Sequence, residues 1–405
     1  MSNGLLPVAD ALARILASAP HPLEAESVAL AAALGRTLAQ DLTALRTQPP
    51  FAVSAMDGYA LRAQDIMTSP ATLDVIGTSA AGHGFTGEVG SGQAVRIFTG
   101  APMPAGADTV LIQENAKLEG ARVTALNSEP FGRHVRAAGL DFRSGETLLA
   151  RGRRLGAAEL ALAAAMNHAR VAVTRKPRVA LLATGDELVA PGSPIGADQI
   201  VASNTFAIAA YAQAAGADVV DLGIAADTFV ALEAGVRAAR AARADVLVTV
   251  GGASVGDHDL VQTALTREGM ELGFWKIAMR PGKPLMHGRL GDMRILGLPG
   301  NPVSAIVCAI LFLAPLVRAL SGDPDAGRDL SLPAILGADL KANDSRQDYL
   351  RASLARGGDS LPIATPFSRQ DSSMLRILAQ AECLVIRAPF ASAAKQGEAC
   401  RAVRI

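Results

Sequence analysis

Between residues 178 and 320, short β-branched runs alternate with helical runs, which restricts this stretch to a mostly parallel sheet covered by helices on both faces. Strand 179–183 leads into Thr184, Gly185, Asp186 and Glu187, and helix 206–215 closes at Gly216. Strand 219–222, helix 229–242, strand 246–250, a glycine loop over 251–256 and helix 260–268 follow. Strand 294–298 then enters Pro299, Gly300, Asn301, Pro302 and an apolar helix, 303–313, that stops at Pro315. That apolar run is shorter than the roughly 20 residues a bilayer span needs, and reads as a buried core helix. In such sheets the ligand lies beyond the carboxyl ends of the strands, so these loops are where chemistry is expected.

The flanks differ. Residues 49–145 hold short apolar runs such as 94–98 and 109–113 among dense glycine, proline and asparagine, a β-rich pattern. Segment 156–165 is alanine- and leucine-rich and helical, and pairs with the region around 26–38 to form a joining unit. After Asp323 and Pro324 the chain turns β-like again, with strands at 384–386 and 402–405. The N-terminus spaces Leu5, Leu6, Val8, Leu12, Ile15 and Leu16 as an amphipathic helix with Asp10 and Arg14 inside it, unlike a signal peptide.

A chain of 405 residues is long enough for about two to four domains. Lys plus Arg (38) equals Asp plus Glu (38), so no overall field draws it to nucleic acid or to an anionic membrane, and an anion must be held locally. Cys308, Cys383 and Cys400 form no Cys-x-x-Cys pair, which argues against a disulfide framework and a thiolate zinc site and fits a reducing cytoplasm. The histidines have no metal-ligand spacing.

Acids recur at the glycine loops: Asp186 and Glu187, then Asp227, then Asp257 and Asp259. Any one of them reads equally well as an N-cap or turn residue, but their repetition at equivalent loops suits a magnesium ion bridging phosphate oxygens. The loop Gly251, Gly252, Ala253, Ser254, Val255, Gly256 can point backbone N–H groups at a phosphate. Gly252-x-Ser254-x-Gly256 is also the form of a hydrolase elbow, with Asp259 and His287 as partners. Arg280, Pro281, Gly282, Lys283, Pro284 places two cations on a stiff chain shortly after Lys276, a clamp for a tetrahedral oxyanion. Nearby, Asn301 as N-cap and Pro302 at the first helical position leave N–H groups free, with Ser304 in the same turn. Asp57 in Ser54–Ala60, Thr99 with Gly100, and Arg136 with Asp141 read on their own as ordinary turns.

Taken together, SAMDGYA (54–60), TGAPMPAGAD (99–108), RAAGLD (136–141), TGDEL (184–188), GGASVGDHD (251–259), RPGKP (280–284), LPGNPVS (298–304) and RQDYLR (346–351) resemble the molybdopterin molybdenumtransferase family, including the gephyrin E domain, over essentially the full length. The resemblance implies an elongated homodimer of four-domain subunits. These comprise a joining domain (26–45 and 146–177), a β-rich domain (46–145), an α/β domain (1–25 and 178–326) and a C-terminal β-barrel-like domain (327–405). It implies an active site between the α/β domain of one subunit and the β-rich domain of the other. Carried over by position, the essential acids are Asp57, Asp141, Glu187, Asp227 and Asp259, and the essential basic residue is Lys276. Glu187, Asp227 and Asp259 would hold Mg2+. The oxyanion site falls on Arg280, Lys283, Ser304, Arg351 and Ser372, and Thr99, Arg136, Gly251, Gly252, Ser254, Pro299, Asn301 and Pro302 complete substrate binding. Arg280 stands where many members carry lysine.

The implied activity is insertion of molybdate into adenylylated molybdopterin with release of AMP. Molybdopterin adenylyltransferase would be the partner upstream and cofactor-accepting apoenzymes those downstream. A non-catalytic dimeric scaffold of the gephyrin E-domain type is the alternative, and nothing resembling its linkers or appended domains stands in the sequence. The pterin adenylyltransferase resembles the α/β region alone, and the two β-rich flanks count against it.

Overall fold

A computed structural model describes residues 5–252, 260–357 and 361–405. At its centre is a six-stranded sheet in the order Asp218–Ala225, Arg178–Thr184, Val246–Val250, Met293–Leu298, Met286–Leu290, Glu271–Trp275. The first four strands are parallel, and the last two add antiparallel pairings at one edge. Val246–Val250 is buried along its whole length, as a continuous valine-rich strand in the middle of a parallel sheet must be.

Alternate residues feed two cores. Val179, Leu181, Val246, Val248, Leu296 and Leu298 pack with Val8, Ile15, Ile208, Phe312 and Leu316 on one face. Ala180, Leu182, Leu247 and Ile295 pack with Leu232, Val236, Val261 and Leu265 on the other. The amphipathic N-terminal segment is therefore part of this unit: Val8–Ala17 buries Ala11 and Ile15, and Leu6 forms a parallel bridge to Ile277.

Two sequence expectations change here. The apolar helix does not end before Pro315: Pro302–Cys308 runs through a π-helical turn, Ala309–Leu313, into Ala314–Leu320. Pro315 sits in the first turn after the wide π turn, where the loss of its N–H and the bulk of its ring are absorbed. The resulting 19-residue helix is long and apolar enough to cross a membrane, but it is 67% buried inside the core. The edge strands Glu271–Trp275 and Met286–Leu290 were not expected. Both are interrupted by glycine, and only the Gly291-Asp292 pair between Leu290 and Met293 signals their hairpin.

Leu38 and Leu42 meet Phe142, Leu155, Met166 and Val173 in one core. Its N-terminal part contributes a strand, Ala25–Ala29, paired antiparallel with Arg170–Thr174. The β-rich part is a six-stranded sheet in which Gly58–Leu61 lies between Thr109–Ile112 and Gln93–Ile97. Near the C-terminus, Gln347–Ala355 pairs with both Ile363–Pro366 and Cys383–Arg387, while Leu332–Leu336 and Ala399–Arg404 complete a closed barrel. Met279–Arg280 adds in parallel to Gln347 and Asp348, stitching the arginine–proline loop of the α/β unit onto the barrel.

Candidate active site

The carboxyl ends of the parallel strands open into a cleft of about 720 Å3. Its floor is Thr184, Gly185, Gly251 and Gly252, and its walls include Glu187, Asp227, Ile200, Asn204, Pro284, Pro299–Pro302 and Ser373. Glycine is required at the floor: Gly251 has φ +99°, and a Cβ there would stand 2.4 Å from the Thr184 carbonyl oxygen. Gly252 has φ +64°, and its Cβ would meet Val261 at 2.3 Å. Asn204 ties the two walls by donating from Nδ2 to the Gly300 carbonyl at 2.7 Å. Its Oδ1 and the Thr184 hydroxyl are buried without a protein partner among the described residues.

On one rim, Asp227 donates its backbone N–H to Asp186 Oδ1 at 3.0 Å. Burial first, then the charges of Asp186 and Glu187, push the Asp227 carboxyl above the usual range. Excess negative charge at a strand edge is what a divalent cation would relieve. Among the described residues no group of three ligating side chains is arranged around one point. Ser254, Asp257 and Asp259 lie outside the described residues.

The opposite rim is made by the barrel. Asn301 stands at the N-cap position but does not cap the helix; Nδ2 reaches Ser372 Oγ at 3.1 Å. The Val303 N–H donates to the Ser372 carbonyl at 3.0 Å. With Pro302 lacking an N–H and Val303 already bonded, the expected open helix terminus is mostly closed by the barrel loop, leaving the N–H of buried Ser304. Asp371 orders the same loop by accepting from the Ser373 N–H (2.8 Å) and hydroxyl (2.6 Å). Arg351 is 1% exposed: Nε donates to Gln370 Oε1 at 3.3 Å, Nη1 donates to the Met374 carbonyl at 3.2 Å, and Nη2 has no protein partner.

The two cations of the arginine–proline loop differ. Arg280 donates to Asp344 Oδ2 (3.0 Å), Asn343 Oδ1 (3.1 Å) and Asp348, a grip in which Asp348 above all holds its guanidinium above the ordinary arginine value. Lys283 makes no ion pair among the described residues, and its carbonyl accepts from the Ile277 N–H at 2.9 Å. Gly282 between them, at φ +117°, lies against Cys308, where a Cβ would stand 2.7 Å from the sulfur. Lys276 has φ +71°, its Nζ lies 3.9 Å from the Trp275 ring centroid, and it is not among the residues lining the cleft. His287 is buried within the sheet and donates from Nδ1 to the Ile295 carbonyl at 3.1 Å, so it does not face the cleft as a hydrolase base would.

In the β-rich sheet, Asp57 Oδ1 accepts from the Thr99 N–H (2.7 Å) and hydroxyl (2.8 Å). These bonds, the backbone one first, hold the Asp57 carboxyl below its usual range, with Arg96 adding to the effect. Arg136 lies on a short strand paired with Val53 and Ser54, and Asp141 donates its N–H to the Gln48 carbonyl at 3.0 Å; both are exposed. None of these four residues lines the cleft of its own chain.

Sequence reasoning passed over Asn204, Ser373 and Arg96. Ser203-Asn204 before an apolar-periodic run is a helix-start signal that marks the first of them; nothing local distinguishes Ser373 from its neighbour.

A mostly parallel sheet with glycine loops and acids at its carboxyl edge, flanked on one side by a barrel that brings a buried arginine, defines an α/β protein whose cleft opens beyond the carboxyl ends of its strands. Residues 6–167 match the MoeA N-terminal region (domain I and II), 180–319 a probable molybdopterin binding domain, and 333–403 the MoeA C-terminal region (domain IV). The chain is 36% identical to the molybdopterin molybdenumtransferase of Haemophilus influenzae over 86% of this chain and 85% of that one. It is 35% identical to molybdopterin molybdenumtransferase 2 of Mycobacterium tuberculosis over 92% and 93%. A solved molybdopterin biosynthesis MoeA protein from Pyrococcus horikoshii superposes with TM-score 0.82 and 29% identity, covering 99% of each chain. The chain belongs to the molybdopterin molybdenumtransferase, or MoeA, family.

Proposed function

We propose that this chain is a molybdenum insertase, which takes adenylylated molybdopterin and molybdate, places the metal in the dithiolene and releases AMP. The observation that carries this reading is the cleft: a glycine floor that admits phosphate close to the backbone, acids on one rim and, on the other, Pro284, Asn301 and Ser373, behind which stand Lys283, next in the chain to Pro284, and the buried Arg351, which donates to the Met374 carbonyl. Thr184, Asn204 and the glycine backbone orient the pterin phosphoanhydride. Lys283 and Nη2 of Arg351, with Ser304 and Ser372, form the oxyanion site for molybdate, while Arg280, neutralised by Asp344 and Asp348, places that site rather than charging it. A molybdate or water oxygen attacks the adenylate phosphorus. The anhydride P–O bond breaks with its electron pair staying on the pterin phosphate, and AMP leaves with the new oxygen. Where the attacking oxygen is molybdate's, its Mo–O bond breaks as AMP departs; the two dithiolene thiols replace oxygens on molybdenum, and each displaced oxygen leaves as hydroxide or water with the thiol proton.

A carboxylate-only set fits magnesium, which takes one or two protein carboxylates alongside substrate phosphates and needs no closed cage. Glu187 and Asp227, with Asp259, would hold it, and when bound it would offset charge on the anhydride oxygens. Asp57, Thr99, Arg136 and Asp141 enter the reaction from a second copy of the chain, whose β-rich sheet would cover the cleft of the first. The substrate comes from a pterin-adenylylating enzyme and the product passes to cofactor-accepting apoenzymes. The free thiols Cys308 and Cys383 suit a reducing cytoplasm.

The test is AMP release from adenylylated molybdopterin with magnesium and molybdate, together with molybdenum bound in the pterin product. Release matched by bound molybdenum supports the reading, whereas intact substrate after prolonged incubation would leave the scaffold alternative standing.

A further inference from the structure

Arg96 stands beside the Asp57 turn without an ion pair among the described residues. Its guanidinium carbon lies 5.0 Å from the Tyr59 ring centroid and 5.1 Å from that of Phe98. Its Nη2 donates to Gln113 Oε1 at 2.7 Å and its Nη1 to the Gly58 carbonyl at 3.3 Å. Each partner is tied to Asp57: Gly58 is its neighbour in the chain, and the Gln113 N–H donates to the Asp57 carbonyl at 3.1 Å. The turn has one tight fit, because a Cβ on Gly58 would stand 2.0 Å from the Leu111 carbonyl oxygen. Arg96 pairs in register with Tyr59, so the strand Gln93–Ile97 carries the guanidinium beside the turn, and the turn that follows this strand presents Thr99 to the carboxylate.

We propose that Arg96 is a positioning residue for the insertase reaction. Its fork holds the Gly58 carbonyl with one arm and, with the other, the side chain of Gln113, whose N–H holds the Asp57 carbonyl, so that Asp57 and Thr99 meet the substrate as a preset acid–hydroxyl pair. This rests on the insertase reading above. An arginine kept only for stability would be expected to pair with a surface carboxylate, as Arg122 does with Asp74 in the same sheet. Arg96 instead has one donor arm on the Gly58 carbonyl and the other on Gln113, with the Tyr59 and Phe98 rings both close to its guanidinium, an arrangement lysine cannot reproduce because it lacks the planar fork. A small displacement of a preset group is enough to cost about a hundredfold in rate.

The experiment compares Arg96→Gln, Arg96→Lys and, as a control in the same sheet, Arg122→Gln. Each is measured for AMP release at saturating and limiting substrate, and for amide hydrogen exchange in the free protein. Arg96→Gln and Arg96→Lys are expected to lose about ten- to a hundredfold in kcat with KM little changed. They should also speed exchange in peptides covering 54–61 and 96–101 and nowhere else. Arg122→Gln should match the wild type. In an Asp57→Asn background, Arg96→Gln should add no further loss, because it acts through the group already removed. Equal losses in both backgrounds, or unchanged exchange at 54–61, would overturn the positioning role. Exchange is read without substrate, so a wild type that releases no AMP refutes the insertase reading while the exchange result still decides whether Arg96 fixes the turn.

Discussion

Gly251→Ala should unfold the centre of the molecule far more than its one added methyl suggests. Gly251 has φ +99°, where an L-residue costs about 1 kcal/mol relative to glycine. The added Cβ would lie 2.4 Å from the Thr184 carbonyl oxygen and 3.1 Å from its hydroxyl, against an ordinary contact of 3.4 Å or more. The nearer atom is backbone of the adjacent strand and cannot rotate away, so overpacking adds about 1–3 kcal/mol. The total of about 3 kcal/mol corresponds to a fall of about 10 °C in the melting midpoint of a unit this size. Gly192→Ala is the control: its φ is +85° but nothing lies within 4 Å, so it should carry only the conformational cost of about 1 kcal/mol. Trp275, the only tryptophan, sits on an edge strand of this sheet, so its fluorescence reports the α/β unit alone. Equal shifts for the two variants would refute the steric argument.

Two further outcomes follow from the rims of the cleft. Asp227→Asn should abolish AMP release while leaving the fold relatively better off as pH rises. The raised Asp227 pKa favours the folded state below the ordinary aspartate range, and that contribution is lost as pH climbs through the folded value. The stability difference, variant minus wild type, should therefore grow as pH rises above the ordinary aspartate range and level off once the folded carboxyl has ionised, and a constant difference in denaturation titrations would contradict it. Arg280→Ala leaves the buried Asp348 carboxylate unpaired and should destabilise by about 2 kcal/mol, moderated by the exposure of the pair. Arg280→Lys should recover only part of this in thermal melts, since it keeps the charge but not the three-way fork.

The parallel sheet was legible because its strands are valine- and leucine-rich runs closed by glycine loops, and periodicity alone places Val246–Val250 and the helices beside it. The edge hairpin was not, because Met286–Leu290 has glycine at its centre and no alternation that marks a buried strand. Pro315 misled for a physical reason: a π turn can carry a helix past a proline, and no local sequence signal announces it. In the site, Glu187, Asp227 and the glycine floor follow from their places after strands. The closing of the helix terminus by Ser372, and the neutralising of Arg280 by Asp344 and Asp348, are contacts between segments about 65–70 residues apart. Spacing along the chain cannot reveal those; the motif resemblance named Ser372 and Arg280 but not what each touches.

The central claim is that the cleft over Gly251 and Gly300 is where the pterin binds. Gly300 is exposed on the cleft wall, carries no left-handed strain and has only Gly251 Cα near its Cβ position, at 3.6 Å. Gly300→Leu would therefore fill the cleft without disturbing the backbone. Equilibrium dialysis of molybdopterin against this variant, with its melting midpoint checked against wild type, is the direct measurement. Binding lost with the midpoint retained is the predicted result, and binding equal to wild type would place the pterin elsewhere.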